Sequence, residues 1–148
     1  MYTVLFNFLT KQDIETLCEM IPDLSFETGR QETGYKKSAI PQTDERIQSL
    51  LARSKKALAT DGNIDAWVLE YPVKSFIPSH KDDAPFGTEH WRLNAVIVAD
   101  TYSSLFIEKH LVHMKEGDAV IFRPDLHEHK VSEVTFQTRY IWSVGCLK

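Results

Sequence analysis

At 148 residues, 43% hydrophobic and 26% charged, the chain has the length of one soluble domain, able to bury roughly two-thirds of the surface its unfolded form exposes. A formal net charge of −4 without any dense Lys/Arg stripe lacks the electrostatic footprint of a duplex-binding protein and makes nucleic acid a disfavoured partner. The opening MYTVLFNFLTKQD has neither a basic n-region nor a long apolar core, and no uncharged apolar run is long enough to span a bilayer, which predicts a cytoplasmic protein without a membrane partner.

Tyr2 to Leu9 is an aromatic and β-branched run and predicts a strand. Thr10 followed by Asp13 has the pattern of a capping box opening a helix to about Ile21, where Pro22 stops it. Residues 23–42 are polar and carry Gly29, Gly34 and Pro41, a loop with a short strand around Gly34 to Ile40. A second helix is expected with Thr43 as its cap and Asp44 and Glu45 in its first turn. Ile47, Leu50, Leu51, Ser54 and Leu58 follow one of its faces, and Asp61-Gly62 ends it.

From Ile64 the pattern changes to short runs rich in Val, Ile, Phe, Tyr and Trp: IDAWVLEYPV, KSFIPSH, WRLNAVIVAD, SLFIEKHLVHM, DAVIFRP, HKVSEVTF and TRYIWSVGC. Strands in series without intervening helices predict an antiparallel sandwich or jelly roll, not a parallel α/β sheet. The expected organisation is one mainly-β domain over 1–148, with helical support at about 10–60 and a jelly-roll core at about 64–146. Cys18 and Cys146 lie at opposite ends without CxxC spacing, which argues against a disulfide framework or a zinc knuckle.

The residues that carry chemistry all fall in the second half. His80 and Asp82 are two apart, so in a strand they point to one side and can converge on one ion. Two neutral imidazoles and one carboxylate make the donor set of a mononuclear Fe(II) site with three open positions, whereas structural zinc wants four closed ligands, usually including Cys. The second imidazole comes from His127 or His129, which share a face in an extended segment. His129 is preferred because it begins the run HKVSEV and stands ten positions before Arg139. The planar guanidinium of Arg139 suits a carboxylate held through two parallel hydrogen bonds.

These motifs in combination carry a resemblance. The stretch from Tyr71 to Trp142, with "YP" before "HKD", then "EGDAVIFRP", then "HKVSEVTFQTRYIW", resembles the 2-oxoglutarate and Fe(II)-dependent oxygenases, particularly their prolyl 4-hydroxylase-like branch. The resemblance implies a double-stranded β-helix. It implies that His80, Asp82 and His129 bind iron, that Arg139 receives the C5 carboxylate of 2-oxoglutarate, and that Tyr71 hydrogen-bonds its oxoacid end. It further implies an O2-dependent hydroxylation of an amino-acid side chain, free or in a polypeptide, coupled to decarboxylation of 2-oxoglutarate to succinate. Some relatives carry Ser or Thr two residues after the Arg; here that position is Ile141.

Around this constellation, the loop from Asp83 to Trp91 is placed to face substrate, and Arg92 and Asn94 open the next strand. Trp67, Trp91 and Trp142 read as core aromatics, Trp91 being the one nearest the loop and so the first expected to meet substrate. His90 and His127 read as rim residues, and His110 and His113, near Glu108, as part of a solvated strand or turn. Two other classes fit the same motifs: a cupin-like metalloprotein, which has no need of Arg139 at its spacing, and a non-catalytic jelly-roll binding module.

Overall fold

The structure, a computed structural model, describes residues 1–148. Strand β1 (Tyr2–Leu5) leads into helix α1 (Lys11–Met20), whose capping box forms as expected: the Thr10 hydroxyl accepts from the Asp13 amide and the Asp13 carboxylate accepts from the Thr10 amide. A hairpin of β2 (Glu27–Thr28) and β3 (Lys36–Ala39) follows. Helix α2 (Gln48–Ala57) begins later than its sequence signal, because Asp44, not Thr43, supplies the cap. Its carboxylate accepts from the Arg46 amide two residues on and sets a 3-10 turn over Glu45–Ile47 before the α-helix starts. The helix also ends ahead of Asp61-Gly62, with Leu58 at its C-cap and Ala59 in the left-handed region at φ 51°.

The remaining strands are β4 (Asp65–Tyr71), β5 (Ile77–His80), β6 (His90–Val98), β7 (Leu105–Ile107), β8 (His110–Leu111), β9 (Ala119–Phe122), β10 (His129–Val131) and β11 (Arg139–Leu147). The run SLFIEKHLVHM divides into β7 and β8, since Glu108 and Lys109 both take positive φ and turn the chain. The strands pair antiparallel in two sheets, a large one in the order β1-β9-β6-β11-β4-β3-β2 and a small one in the order β5-β10-β7-β8. This is the expected jelly roll, and strands from the first 60 residues complete both edges of its large sheet.

Alternation along the large sheet separates two cores. Ala66, Val68, Leu93, Ala95, Ile97, Trp142 and Val144 face the helices, where Leu17, Ile47, Leu50 and Leu58 cover them. Trp142, fully buried, donates its indole N–H to Ser54 Oγ at 3.1 Å and so ties β11 to α2. On the opposite face Tyr71, Val96, Val120, Phe122 and Ile141 meet Leu105, Ile107 and Val131 of the small sheet. The functional side chains belong to this second face.

Two loops at one end of the sandwich share a single anchor. Asp100, 5% exposed, accepts hydrogen bonds from the amides of Tyr102, Ser103, Thr135, Phe136 and Gln137. That fixes the chain just before Arg139.

Candidate metal centre and cosubstrate pocket

His80 closes β5 and His129 opens β10, and the two are direct register partners in the small sheet. Their rings lie 4.3 Å apart, centroid to centroid. Asp82 follows two residues after His80, its amide bonded to the Pro124 carbonyl at 2.8 Å, which turns its carboxylate back toward both rings. One donor atom from each of His80, Asp82 and His129 can be chosen so that all lie within 4.8 Å of one another. His127, the alternative third ligand, is turned away and pairs with Glu108 at 3.4 Å. His110 and His113 lie exposed, away from this cluster.

The hydrogen bonds of the two imidazoles suit a metal. His80 Nδ1 faces the Pro78 carbonyl at 2.8 Å and His129 Nδ1 faces the His127 carbonyl at 3.0 Å. A carbonyl only accepts, so each Nδ1 carries the proton and each Nε2 is directed at the shared centre. Those Nε2 atoms lie 3.1 Å and 3.8 Å from the same oxygen, Asp82 Oδ1. Without a metal the hydrogen bond to Asp82 raises the His80 pKa, while burial lowers that of His129. Burial alone would raise the Asp82 carboxyl, but the His80 hydrogen bond and the positive His129 and His80 rings together hold it at about 2. The set is thus one firm carboxylate and two rings whose Nε2 atoms, once deprotonated, each offer a lone pair. That is the donor chemistry of an Fe(II) site with open positions.

A cavity of about 380 Å³ opens beside this cluster, between the two sheets. Tyr71 stands in its wall, and Arg139, the cross-strand partner of Tyr71 on β11, lies behind it without lining the cavity itself. The Arg139 guanidinium carbon is 5.4 Å from the Tyr71 ring centre. Arg139 is only 4% exposed and has no salt bridge or side-chain hydrogen bond within the protein; burial lowers its pKa, opposed by Tyr71 and Asp100. A buried cation without a carboxylate is costly, and a ligand anion would relieve that cost. Burial likewise raises the Tyr71 pKa, so its hydroxyl stays protonated and able to donate.

Other parts of the pocket had no motif to announce them. Tyr35, from the polar loop, stacks on Tyr71 with centroids 5.6 Å apart and an interplanar angle of 19°, its hydroxyl bonded to Gln31. Gly29 makes room for it, since a Cβ there would lie 2.2 Å from Tyr35 Cζ. Arg30 reaches Asp82 Oδ1 at 3.3 Å. Phe122 packs edge-on against His129.

The tryptophan in the cavity wall is Trp67, not Trp91. Trp91 has odd-numbered parity on β6 with Leu93 and Ala95 and so packs on the helix side, against the first core, while Arg92 and Asn94 face the cavity. Alternation from Tyr71 back along β4 was the available signal for Trp67. The loop from Asp83 onward is bound at its far end by reciprocal hydrogen bonds between Glu89 and Lys148, and Phe86 at its tip is fully exposed.

Comparison with solved structures agrees with this architecture. A collagen prolyl hydroxylase of Paramecium bursaria Chlorella virus-1, solved with 2-oxoglutarate, superposes with a TM-score of 0.76 at 17% identity, over 99% of this chain and 96% of that one. A prolyl hydroxylase of Trichoplax adhaerens, solved with a hypoxia inducible factor peptide, gives 0.78 at 13% identity, over 97% and 82%. The fold is the double-stranded β-helix that these structures share. A Pseudomonas putida prolyl-4-hydroxylase shares this β-helix as well, with a TM-score of 0.73 at 14% identity over 97% of this chain and 90% of that one. No family model and no curated protein sequence matches the chain. No helix of this β-helix protein is long and apolar enough to cross a membrane.

Proposed function

We propose that the chain is a single oxygenase domain, dependent on Fe(II) and 2-oxoglutarate, that hydroxylates an amino-acid side chain, free or in a polypeptide. The observation that carries this reading is Arg139: a buried guanidinium in no salt bridge, behind Tyr71 in the same fold that brings His80, Asp82 and His129 together. A cupin-like metal site has no use for such a cation. The prolyl hydroxylases among the similar structures, one solved with a peptide, support a polypeptide substrate. The two free thiols, Cys18 and Cys146, support a reducing, cytoplasmic setting.

In this reading His80 Nε2, His129 Nε2 and Asp82 Oδ1 hold the metal, and Arg139 clamps the distal carboxylate of 2-oxoglutarate through charge-assisted hydrogen bonds. Tyr71 donates its hydroxyl to the cosubstrate. Apolar side chains such as Leu105 and Val131 keep water from the closed end. Bound together, iron and 2-oxoglutarate supply the O2-dependent oxidation of a substrate C–H bond, with release of succinate and CO2.

The test is an anaerobic titration of Fe(II) and 2-oxoglutarate, read by the visible metal-to-ligand charge-transfer absorption. The reading expects a band in the wild type, none in Asp82→Ala and a weakened one in Arg139→Ala. Folded wild-type protein without a band would overturn it.

A further inference from the structure

His90 carries a side-chain polar atom, its Nδ1, that is fully enclosed and has no hydrogen-bond partner. The residue opens β6 and shares the cavity-facing parity of Arg92 and Asn94. Its other nitrogen, Nε2, lies 3.3 Å from Arg92 Nη2. A guanidinium only donates, so Nε2 accepts, and in the neutral ring the proton sits on Nδ1. The orphan is therefore an N–H donor, which cannot itself ligate a metal in this tautomer. The anionic group it faces is Asp82 Oδ2, 3.9 Å away.

The two oxygens of Asp82 are thus differently placed. Oδ1 is the one the Nε2 atoms of His80 and His129 share, at 3.1 Å and 3.8 Å. Oδ2 points to His90. Arg92, which sets the His90 tautomer, is itself held firmly: Nη2 donates to both oxygens of Asp65 at 2.9 Å and 3.0 Å, and Nη1 to Ser143 Oγ at 2.9 Å. Gly145 stands in register with both Asp65 and Arg92, and a Cβ there would lie 2.4 Å from Arg92 Nη2. The strand is bare at that position so that the guanidinium can lie across it.

We infer that His90 is a positioning residue for the metal site, its Nδ1–H holding Asp82 Oδ2 so that the carboxylate presents Oδ1 alone to the ion. The 3.9 Å separation is too long for a hydrogen bond. A turn of the carboxylate that set Oδ1 on a cation would bring Oδ2 toward His90, satisfy the orphan donor and tie metal binding to the Arg92–Asp65 pair in the cavity wall. One-point binding by Asp82 keeps a coordination position open, and partners of this outer kind are worth roughly 10–100-fold in metal affinity.

This inference rests on the proposed metal site, and Mn(II) alone, titrated by electron paramagnetic resonance, tests the two separately. His90→Phe keeps a ring and removes the donor; His90→Asn puts an amide N–H₂ where Nδ1–H was; His90→Ala stands in should the Phe ring not fit. The expectation is a roughly 10–100-fold weaker Mn(II) affinity for His90→Phe or His90→Ala, recovered to within about 3-fold in His90→Asn, with metal-free melting temperatures of the variants alike. Wild-type affinity in His90→Phe, or equal weakness in His90→Asn, would overturn the positioning role while leaving the metal site intact. Wild-type protein that binds no Mn(II) would overturn the metal site and this role with it.

Discussion

Arg139 and Tyr71 face each other across β11 and β4, and a guanidinium that is 4% exposed looks onto a phenol and forms no salt bridge. Replacing a buried ion pair by apolar side chains of similar volume is often neutral or stabilising by about 1–4 kcal/mol, and a buried cation outside any salt bridge has less Coulombic return to lose. Arg139→Met is therefore expected to raise the melting temperature of the ligand-free protein. The same variant should lose the further rise that 2-oxoglutarate produces with Mn(II), a loss of roughly 2–5 kcal/mol in binding for an unpaired carboxylate. Differential scanning calorimetry with and without 2-oxoglutarate reads both effects.

Metal binding should depend on pH through His80. Its pKa is raised by the hydrogen bond to Asp82, so in the metal-free protein Nε2 still holds a proton somewhat above the ordinary value of about 6.5. His129 is lowered by burial and is neutral there already. Proton and metal compete for the same nitrogen. Affinity for Mn(II) is expected to climb with pH until the raised His80 value is passed and then to level, with net proton release on binding below that value and none above it. Asp82, at about 2, contributes nothing to this slope. Calorimetric titration in buffers of different ionisation enthalpy counts the protons.

Gly29 is the hinge on which the Tyr35–Tyr71 stack depends. A methyl group 2.2 Å from Tyr35 Cζ cannot be accommodated without moving the ring. Gly29→Ala should cost about 1–3 kcal/mol, as overpacking does, and loosen 2-oxoglutarate binding by freeing Tyr71. Urea unfolding and the charge-transfer titration, run side by side, separate the two consequences. An unchanged charge-transfer titration would remove the Tyr35 stack from the account of the pocket.

Asp100 should matter for stability and for the approach to Arg139. It is buried and accepts from five backbone amides of two loops, so Asp100→Ala leaves those donors without partners and is expected to cost on the order of 3 kcal/mol. Burial raises its carboxyl, but the amides of Gln137, Thr135, Phe136 and Ser103 outweigh burial and lower it. A lowered folded value means that the contribution is complete above the unfolded pKa of about 3.9 and lost as pH falls through the folded one. The stability gap between wild type and Asp100→Asn should therefore narrow in acid, below about pH 4, in urea melts.

Trp67 and Trp91 should report oppositely. Only Trp67 lines the cavity, so quenching of intrinsic fluorescence by Fe(II) and 2-oxoglutarate is expected to shrink in Trp67→Phe and to persist in Trp91→Phe.

Much of the architecture was legible because it rests on local chemistry. The Thr10–Asp13 box, the face from Ile47 to Leu58 and the alternating strands after Ile64 are interactions between near neighbours, and each formed. The errors were also local: Asp44 and Thr43 offer competing caps, and the shorter reach from Asp44 to the Arg46 amide wins. Of the candidate site, the spacing of His80, Asp82, His129 and Arg139 was plain. The preference for His129 over His127 rested on the count to Arg139, and the pairing of β5 with β10 adds its physical reason by setting His129 directly opposite His80.

The strand pattern and the spacing of the candidate donors and cation were set by the chain alone, since residue type and periodicity are its local properties. Tertiary structure alone decided that Tyr35 and Gly29 build the back of the pocket, that Trp67 replaces Trp91 in its wall, and that His90 aims an unpaired N–H at Asp82. Those relationships join residues far apart in the chain or depend on which face of a strand turns inward. Sheet register and packing set both, and no local rule of composition encodes them.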